Sequence, residues 1–227
     1  MIFITGDTHG SEFSKLNTKN FKIQKELTKD DYVIITGDFG LVWDNSNQEK
    51  YWLKWLEAKP FTILFVDGNH ENFDLLNDYE IEYWHGGKVH KIRENIIHLI
   101  RGQIYEIDNE KILTFGGAET VDKERRKEGK TWWKEEIPSE EEFNEAIANL
   151  KNNNIDYIIS HTCDSFTLKV LNSAFPYKLN AGTVNFYLDE IKRISNYKKW
   201  YFGHFHEDIE INNKHRVIYN DVIKIGE

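Results

Sequence analysis

Five short apolar runs, each followed by a polar turn, constrain the fold of this 227-residue chain more than any other feature. Apolar runs of this length, bounded by turn residues, are typical of strands buried inside a sheet. Every turn carries Asp, His or Asn, and four of the five contain glycine. The runs cover residues 2–5, 32–36, 61–66, 157–160 and 200–202. Because open α/β sheets place their chemistry where strands end, five turns of one design predict a shared site.

The elements between these runs predict an α/β fold. Up to about residue 80, strands alternate with helical segments, and this order calls for parallel strands with right-handed crossovers. Ser46 to Glu49 and Ser139 to Glu142 both have the spacing of a capping box, which predicts that a helix begins at each. Between Trp84 and Phe115, four short alternating strands predict an antiparallel meander within a mixed sheet or a second sheet. They are residues 88–92, 96–100, 103–107 and 111–115.

The chain shows no internal repeat or linker, so we expect one domain over residues 1–227, with an irregular loop at residues 116–138. No apolar run approaches the roughly 20 residues that a membrane span needs. Residues 1–5 lead directly into the first polar turn, which predicts no signal peptide. We therefore expect a soluble cytoplasmic protein with no membrane partner.

Charge and cysteine content exclude several kinds of function. The chain has 29 Lys and Arg against 38 Asp and Glu, and a formal net charge of −9. This balance disfavours general nucleic-acid binding, because phosphate contacts need clustered cations. Cys163 is the sole cysteine, which excludes an internal disulfide and a thiolate zinc cluster.

The polar turns together offer carboxylate, imidazole and amide-oxygen ligands. They are Asp7, His9, Asp38, Asn69, His70, His161, His204 and His206. Such ligands suit hard or borderline divalent ions, and eight exceed what one ion needs. Residues two apart on an extended segment point the same way, so Asp7 and His9 should face one site, as should His204 and His206. The sequence predicts two divalent ions roughly 3.5–4 Å apart, the arrangement used for displacement at phosphorus.

In this order, the turns resemble the motif blocks of the calcineurin-like metallophosphoesterase family. The blocks are Gly6-Asp7-Thr8-His9, Gly37-Asp38-Phe39-Gly40, Gly68-Asn69-His70-Glu71, His161 and Gly203-His204-Phe205-His206. The resemblance implies a four-layer α/β/β/α sandwich with two mixed β-sheets between helices. It also implies a phosphatase or phosphodiesterase with two metals at the strand ends. Mn²⁺ is the expected ion, with Fe²⁺, Zn²⁺ and Mg²⁺ as alternatives.

The resemblance also implies a role for each motif residue. One metal would be held by Asp7, His9, Asp38 and His206. The second would share Asp38 as a bridge and be completed by Asn69, His161 and His204. A metal-bridging hydroxide would attack phosphorus, while His70 would steady the phosphoryl oxygens and protonate the leaving alkoxide. Glu71 is expected to orient His70 as a hydrogen-bond acceptor.

Two departures from the family pattern bear on the substrate. The protein Ser/Thr phosphatase branch continues the second motif with an Asp-Arg pair, whereas residues 37–42 here contain no arginine. This weakens a protein-phosphatase function, which we keep as an alternative. Many members follow the fourth-motif histidine with a small residue and proline, but this chain has Thr162-Cys163. We expect Cys163 to pack in the core rather than reach the metals.

The loop at residues 120–136 has a local positive excess in an acidic chain. Residues 122–130 hold five Lys or Arg against three acids, and Trp132-Trp133 follows directly. One hypothesis has the loop over the metals, with Arg125 or Arg126 gripping a substrate phosphate and Trp132 stacking on a base. The alternative is a solvated loop pinned by two core tryptophans. We expect packing or surface roles for the remaining histidines, which are His85, His90, His98 and His215.

These observations predict a metal-dependent phosphoesterase that hydrolyses a phosphomonoester or phosphodiester. The expected partner is a phosphorylated small molecule, with nucleotides among the candidates. A catalytically silent metal-binding interaction module is the alternative from another class.

Overall fold

The computed structural model describes residues 1–226, which form two mixed sheets with helices. The first sheet contains seven strands in the order β13-β1-β2-β3-β6-β5-β4. Their bounds are β1 (Ile2–Thr5), β2 (Tyr32–Ile35), β3 (Thr62–Phe65), β4 (Ile81–Trp84), β5 (Gly87–Arg93), β6 (Ile96–Leu99) and β13 (Ile223–Lys224). The second sheet contains six strands in the order β11-β12-β10-β9-β8-β7. Their bounds are β7 (Ile104–Ile107), β8 (Glu110–Phe115), β9 (Tyr157–Ser160), β10 (Lys199–Phe202), β11 (Ile209–Asn212) and β12 (His215–Val217).

Helices lie on the outer faces of the two sheets. The α-helices are α1 (Asn47–Glu57), α2 (Phe73–Leu76), α3 (Glu140–Asn152), α4 (Ser165–Ala174) and α5 (Thr183–Ile194). Short 3₁₀ segments occur at Phe13–Leu16, Lys22–Glu26, Lys123–Arg125 and Lys134–Glu136. No helix within residues 1–226 has the length and apolar character needed to cross a membrane.

Three apolar clusters show why the chain folds in four layers. Side chains alternate across a strand, so Val33 and Ile35 of β2 pack under the first helical layer while Ile34 faces the other sheet. Between the sheets, Ile34 joins a cluster that includes Tyr105 and Tyr201. A third cluster packs the outer face of the second sheet against α3, α4 and α5, and it contains Cys163. The predicted α/β/β/α sandwich is therefore confirmed.

Parallel pairing of β1, β2 and β3 brings their carboxyl ends to one edge of the first sheet. In the second sheet, β9 pairs in parallel with both β8 and β10. The five polar turns follow strands β1, β2, β3, β9 and β10. The sheets thus deliver all five turns to one end of the sandwich.

The predicted meander forms, but it is divided between the two sheets. Strands β5 and β6 pair antiparallel in the first sheet, and β6 also pairs in parallel with β3. After the turn at Arg101 and Gly102, β7 and β8 belong to the second sheet. The turn was expected to be one more hairpin, but the chain passes there from one sheet to the other. Strand β4 and helix α4 were not predicted.

The two predicted capping boxes differ in the structure. At α3, Ser139 accepts from the Glu142 N–H and the Glu142 carboxylate accepts from the Ser139 N–H, so the box is complete. At α1, Ser46 accepts from the Glu49 N–H at 3.1 Å. The Glu49 carboxylate, however, turns to the backbone N–H groups of residues 43–45. Only half of that box forms, because the loop before the helix takes the carboxylate.

Candidate metal centre

The predicted ligands converge through an unusual backbone conformation. His9, Asp38, His204 and His206 all have positive φ, between 43° and 69°. Non-glycine residues adopt this left-handed region rarely, and such residues cluster at functional sites. Asp7 and His9, and likewise His204 and His206, were expected to point the same way because they lie on extended segments, and that reason was wrong. The turns themselves, and not strand alternation, aim these side chains.

Asp7, His9 and His206 form the first group that could hold a metal. Their ligand atoms lie close together: His9 Nε2 is 3.0 Å from His206 Nε2, which is 3.2 Å from Asp7 Oδ2. Asp7 is fully buried, whereas the His206 side chain is 47% exposed. The His206 ring stacks on Tyr219 with centroids 4.4 Å apart, and this contact fixes its plane.

Asp7, Asp38 and His161 form the second group. His161 Nε2 lies 3.3 Å from Asp38 Oδ1 and 3.2 Å from Asn69 Oδ1. The other ring nitrogen, Nδ1, lies 2.8 Å from the Thr36 carbonyl oxygen and donates to it. This bond leaves Nε2 free as the ligating atom, which is the usual arrangement at metal-binding histidines.

Two further points of the expected ligand set concern the position of His204 and the identity of the carboxylate that bridges the two metals. The His204 ring lies 5.0 Å from the His161 ring, and its backbone N–H is 3.2 Å from both Asp7 carboxylate oxygens. The resemblance gave the bridge to Asp38, whereas the two groups here share Asp7. Both carboxylates are buried between the groups, and Asp38 Oδ2 also lies 3.8 Å from His9 Nδ1.

Two glycines allow the carboxylates to approach the backbone of neighbouring turns. A Cβ on Gly68 would overlap Asp38 Oδ1, and a Cβ on Gly203 would overlap Asp7 Oδ1. Any side chain at these positions would displace a carboxylate. The glycines are therefore required for the ligand geometry.

The electrostatics of the site favour the ligating forms of its acids. Burial raises the pKa of Asp38, but the charge of His161 lowers it further, to well below its usual range. Burial lowers the pKa of His161, but Asp38 and Asp7 raise it to about 10. Burial, helped by His161, lowers the pKa of His204 to about 3, so that ring is neutral. Since a ligating histidine must be deprotonated, metal binding at His161 would release a proton.

The donor set fits a pair of divalent metals. Two groups of carboxylate and imidazole ligands share a buried aspartate, and the amide oxygen of Asn69 lies beside the second. Ligands of this type suit hard or borderline ions, and no thiolate takes part, since Cys163 is buried in the core.

A chain of buried hydrogen bonds orients the Asn69 amide. Asn69 Nδ2 donates to Thr120 Oγ1 at 3.1 Å, and this hydroxyl donates to Glu136 Oε2 at 2.6 Å. Asn69, Thr120 and Glu136 are all buried. Because the nitrogen is taken by Thr120, the oxygen of Asn69 faces His161. No pattern in the sequence singled out Thr120 or Glu136 within residues 116–138.

His70 lies beside the ligands with its two ring nitrogens in different surroundings. Its backbone N–H donates to Asp38 Oδ1 at 2.8 Å, and its Nδ1 lies 3.2 Å from Arg126 Nη1. An arginine only donates, so Nδ1 accepts and the proton of the neutral ring sits on Nε2. Burial, opposed by Asp38 and helped by Arg126, lowers the pKa of His70.

Arg126 is held in place by its own loop. Its Nε lies 2.6 Å from Asp122 Oδ1, and Nη1 also donates to the Thr131 carbonyl at 3.2 Å. Within residues 1–226, these contacts and His70 leave the two Nη2 hydrogens without a partner. Arg126 thus brings the segment 116–138 to the site.

The other residues of the loop hypothesis lie differently. The Arg125 side chain is 82% exposed and pairs with Glu124. Trp132 is half-buried, with Lys123 Nζ 4.8 Å above its ring. Trp133 is buried, and its Nε1 donates to Asp74 at 2.8 Å. One of the two tryptophans therefore pins the loop to the domain.

The Glu71 carboxylate was expected to accept a hydrogen bond from the His70 ring, but its partners are backbone N–H groups of the second turn. Its carboxylate accepts from the Phe39 N–H at 2.8 Å and from the Gly40 N–H at 3.3 Å. Burial, with the charge of Asp38, raises the pKa of Glu71 well above its usual value. Glu71 thus braces the turn that carries Asp38, because the positive φ of Asp38 presents the N–H groups that follow it.

A second buried network supports the third turn from beneath. Arg101 Nε lies 2.8 Å from Asp67 Oδ2, and His98 Nε2 lies 3.2 Å from Asp67 Oδ1. Arg101 also donates to the Glu135 carbonyl at 2.9 Å, which links the turn to the loop. His98 was expected to have a packing role, and its pairing follows from β6 lying beside β3. Lys15, also missed, donates to the Asp7 carbonyl at 2.7 Å beneath the first turn.

Two cavities of about 250 Å³ each open beside the ligands. One is lined by His9, Gly40, Trp43 and His70. The other lies against His204, and its polar lining includes Glu119, Thr162, Lys178, Asn180 and Asn185. The site therefore has space beside His204 and beside His70 for groups attached to a bound anion.

Comparison with known proteins agrees with this geometry. The family model for calcineurin-like phosphoesterases matches residues 1–208, so the chain belongs to that family. Its members are generally hydrolases that bind divalent metals. With the two candidate ligand groups, this membership supports a metal-dependent phosphoesterase. No curated protein matches the chain significantly.

Proposed function

We propose that this protein hydrolyses a phosphomonoester or a phosphodiester, with nucleotides among the candidate substrates. The observation that carries the proposal is the pair of ligand groups around Asp7, with His70 beside them. The cavities beside His70 and beside His204 would accommodate ester substituents, which keeps a diester among the candidates.

In this proposal, Asp7, His9, Asp38 and His206 would hold the first metal. Asp38 would also serve the second, together with Asn69, His161 and His204. Mn²⁺ is the proposed ion, and Fe²⁺, Zn²⁺ and Mg²⁺ remain alternatives. When bound, two such ions neutralise the phosphoryl oxygens and supply hydroxide at neutral pH.

The remaining steps belong to side chains of the protein. His70 carries its proton on Nε2, because Arg126 donates to Nδ1, and from Nε2 it would protonate the leaving oxygen. The Nη2 group of Arg126 would bind a phosphoryl oxygen, since guanidinium groups suit phosphate. Arg125 and Trp132 remain predicted substrate contacts from the same loop.

The test is hydrolysis of p-nitrophenyl phosphate and bis(p-nitrophenyl) phosphate with added Mn²⁺. We expect turnover that depends on metal in the wild-type protein and is lost in Asp38→Asn. Asp78→Asn, which removes an exposed carboxylate from the same domain, is the matched control and should keep full activity. Metal content is measured for all three proteins.

Two results would reject the proposal. Metal-loaded protein with no turnover on either ester would favour the silent metal-binding module. Turnover that survives Asp38→Asn would show that hydrolysis does not use this site. A phosphoprotein assayed beside the two small esters, and hydrolysed in preference to both, would instead support the protein-phosphatase alternative.

A further inference from the structure

The cavity beside His70 has one aromatic wall, which is the half-buried side chain of Trp43. Its other lining residues are the candidate metal ligand His9, the backbone turn at Gly40, and His70 itself. Trp43 therefore shares a cavity with the candidate metal ligand His9 and with His70. The sequence drew attention to Trp132 instead, because Trp132 adjoins a basic segment.

The backbone of Trp43 is fixed on both sides of the residue. The buried carboxylate of Glu49 accepts from the N–H groups of Trp43, Asp44 and Asn45, at 2.6, 2.9 and 3.3 Å. The Trp43 carbonyl accepts from Asn72 Nδ2 at 2.7 Å. The Glu49 carboxylate bonds to these loop N–H groups and not to the Ser46 N–H, so one of the two capping-box bonds is missing.

The ring of Trp43 is fixed as well. It meets the buried Trp133 ring edge to face, with centroids 5.3 Å apart and planes 82° apart. Trp133 is itself anchored by its bond to Asp74. The Trp43 ring is thus positioned by a neighbouring ring and also lines the cavity, where a planar group could stack on it.

The turns on either side of Trp43 have strained backbone. Val42 has a φ of 65° and Asn45 a φ of 57°. A left-handed β-branched residue is an outlier that persists only where surrounding structure enforces it. Val42 is buried and is not one of the four residues that line the cavity. The strain thus accompanies the placement of the neighbouring tryptophan.

From these observations we propose that Trp43 is the stacking wall of a pocket for a planar aromatic group on the substrate. The inference rests on the proposed function and narrows its substrate class to phosphoesters of aromatic or nucleoside-type groups. Because the cavity adjoins His70, the ring belongs to the leaving group. Its volume of about 250 Å³ lies below the roughly 300–1,000 Å³ of whole-ligand pockets, so it holds a ring rather than a complete substrate.

The test uses two phosphonates that the enzyme cannot hydrolyse at their C–P bond, benzylphosphonate and ethylphosphonate. Binding of each to the full-length Mn²⁺-loaded protein is measured by calorimetry, so the result does not depend on turnover. We expect the benzyl compound to bind about tenfold more tightly, as stacking on an aromatic wall provides. Failure of the proposed function is measured separately, with the p-nitrophenyl esters.

Three variants make the test specific to Trp43. Trp43→Ala should bring the two dissociation constants to within about twofold of each other, and Trp43→Phe should retain most of the preference. Trp132→Ala tests the tryptophan that the sequence analysis proposed for stacking, and it should keep the preference for the benzyl compound. Metal content, measured for each variant, identifies any protein that has lost its fold. If Trp43→Ala has lost its fold, the binding preference of Trp43→Phe is compared with those of the wild type and Trp132→Ala.

Several results would overturn the inference. Equal binding of both phosphonates by the wild-type protein would mean that the cavity does not select rings. A preference lost in Trp132→Ala but kept in Trp43→Ala would assign stacking to the loop. Failure of the metal-loaded protein to bind either phosphonate would also overturn it, because the pocket would then adjoin no phosphoryl site.

Discussion

The hydroxyl of Thr120 offers a sharp test of how the candidate ligands are oriented. Thr120→Val removes one oxygen and keeps the shape of the side chain. In the structure this oxygen joins Asn69 Nδ2, at 3.1 Å, to Glu136 Oε2, at 2.6 Å. Without it, nothing in this chain of bonds distinguishes the oxygen of the Asn69 amide from its nitrogen. The amide would then be free to turn its nitrogen toward His161.

The size of the effect follows from burial and from the position of Thr120 behind a ligand. Asn69 is 4% exposed, Thr120 6% and Glu136 0%, so water does not replace the lost partner. Leaving a buried polar group unpaired costs about 1–3 kcal/mol of stability. Removing a group that supports a metal ligand typically lowers metal affinity about 10- to 100-fold. This corresponds to about 1.4–2.8 kcal/mol of binding free energy.

The assay is a titration of the metal-depleted protein with Mn²⁺, together with urea unfolding of the same samples. Thr5→Val is the matched control, because Thr5 Oγ1 is buried and, within residues 1–226, has no hydrogen-bond partner. That variant should keep its metal affinity and lose no stability. If Thr120→Val bound Mn²⁺ within twofold of the wild type, the orienting role of this hydrogen-bond chain would be refuted.

Three further predictions concern the supports of the site and the core. Arg101→Gln leaves the buried Asp67 carboxylate without its guanidinium partner. Urea unfolding should show that the free energy of unfolding falls by about 3–5 kcal/mol. The control Arg193→Gln removes an exposed ion pair and should change it very little. Gly68→Ala should abolish Mn²⁺ binding in the same titration, because the new Cβ displaces Asp38; retained binding would contradict this. Burial lowers the pKa of His215 to about 4, below its ordinary 6.5, so protons favour the unfolded chain. The free energy of unfolding should therefore fall as the pH drops from about 6.5 to about 4, and His215→Asn should flatten that part of the profile.

The turns could be predicted because their signals are local. A buried apolar run followed by Gly-Asp or Gly-Asn-His indicates both a strand end and a ligand, and five repetitions indicate that the ligands share one site. The same holds for Ser139 and Glu142, whose capping box forms as its spacing predicts. In each case the residues that carry the signal also make the contact.

The division of strands between sheets could not be predicted, because it depends on partners far apart in the sequence. The turn at Arg101 and Gly102 has the composition of a hairpin, yet it connects β6 in one sheet to β7 in the other. The deciding contact is the buried pair of Arg101 with Asp67, 34 residues earlier. Nothing within the turn itself indicates that pairing.

The supports of the ligands were missed for a related reason. Thr120 and Trp43 lie in irregular segments and Glu136 ends a three-residue 3₁₀ segment, where neither period nor propensity singles out one polar or aromatic residue. Glu49 was assigned to a helix start by its spacing from Ser46, and the spacing was right about the helix. The Glu49 carboxylate, however, accepts hydrogen bonds from three backbone N–H groups of the preceding loop, and the spacing did not predict these bonds.

The candidate ligands come from both sheets, and this has a consequence for how the protein responds to metal supply. Asp7, Asp38 and Asn69 follow strands of the first sheet, whereas His161, His204 and His206 follow strands of the second. A bound ion would thus link the two sheets. At an ion concentration 100 times the dissociation constant, its binding adds about 2.7 kcal/mol to the free energy of unfolding. Starvation for metal would then reduce the lifetime of the protein in a cell as well as its catalysis.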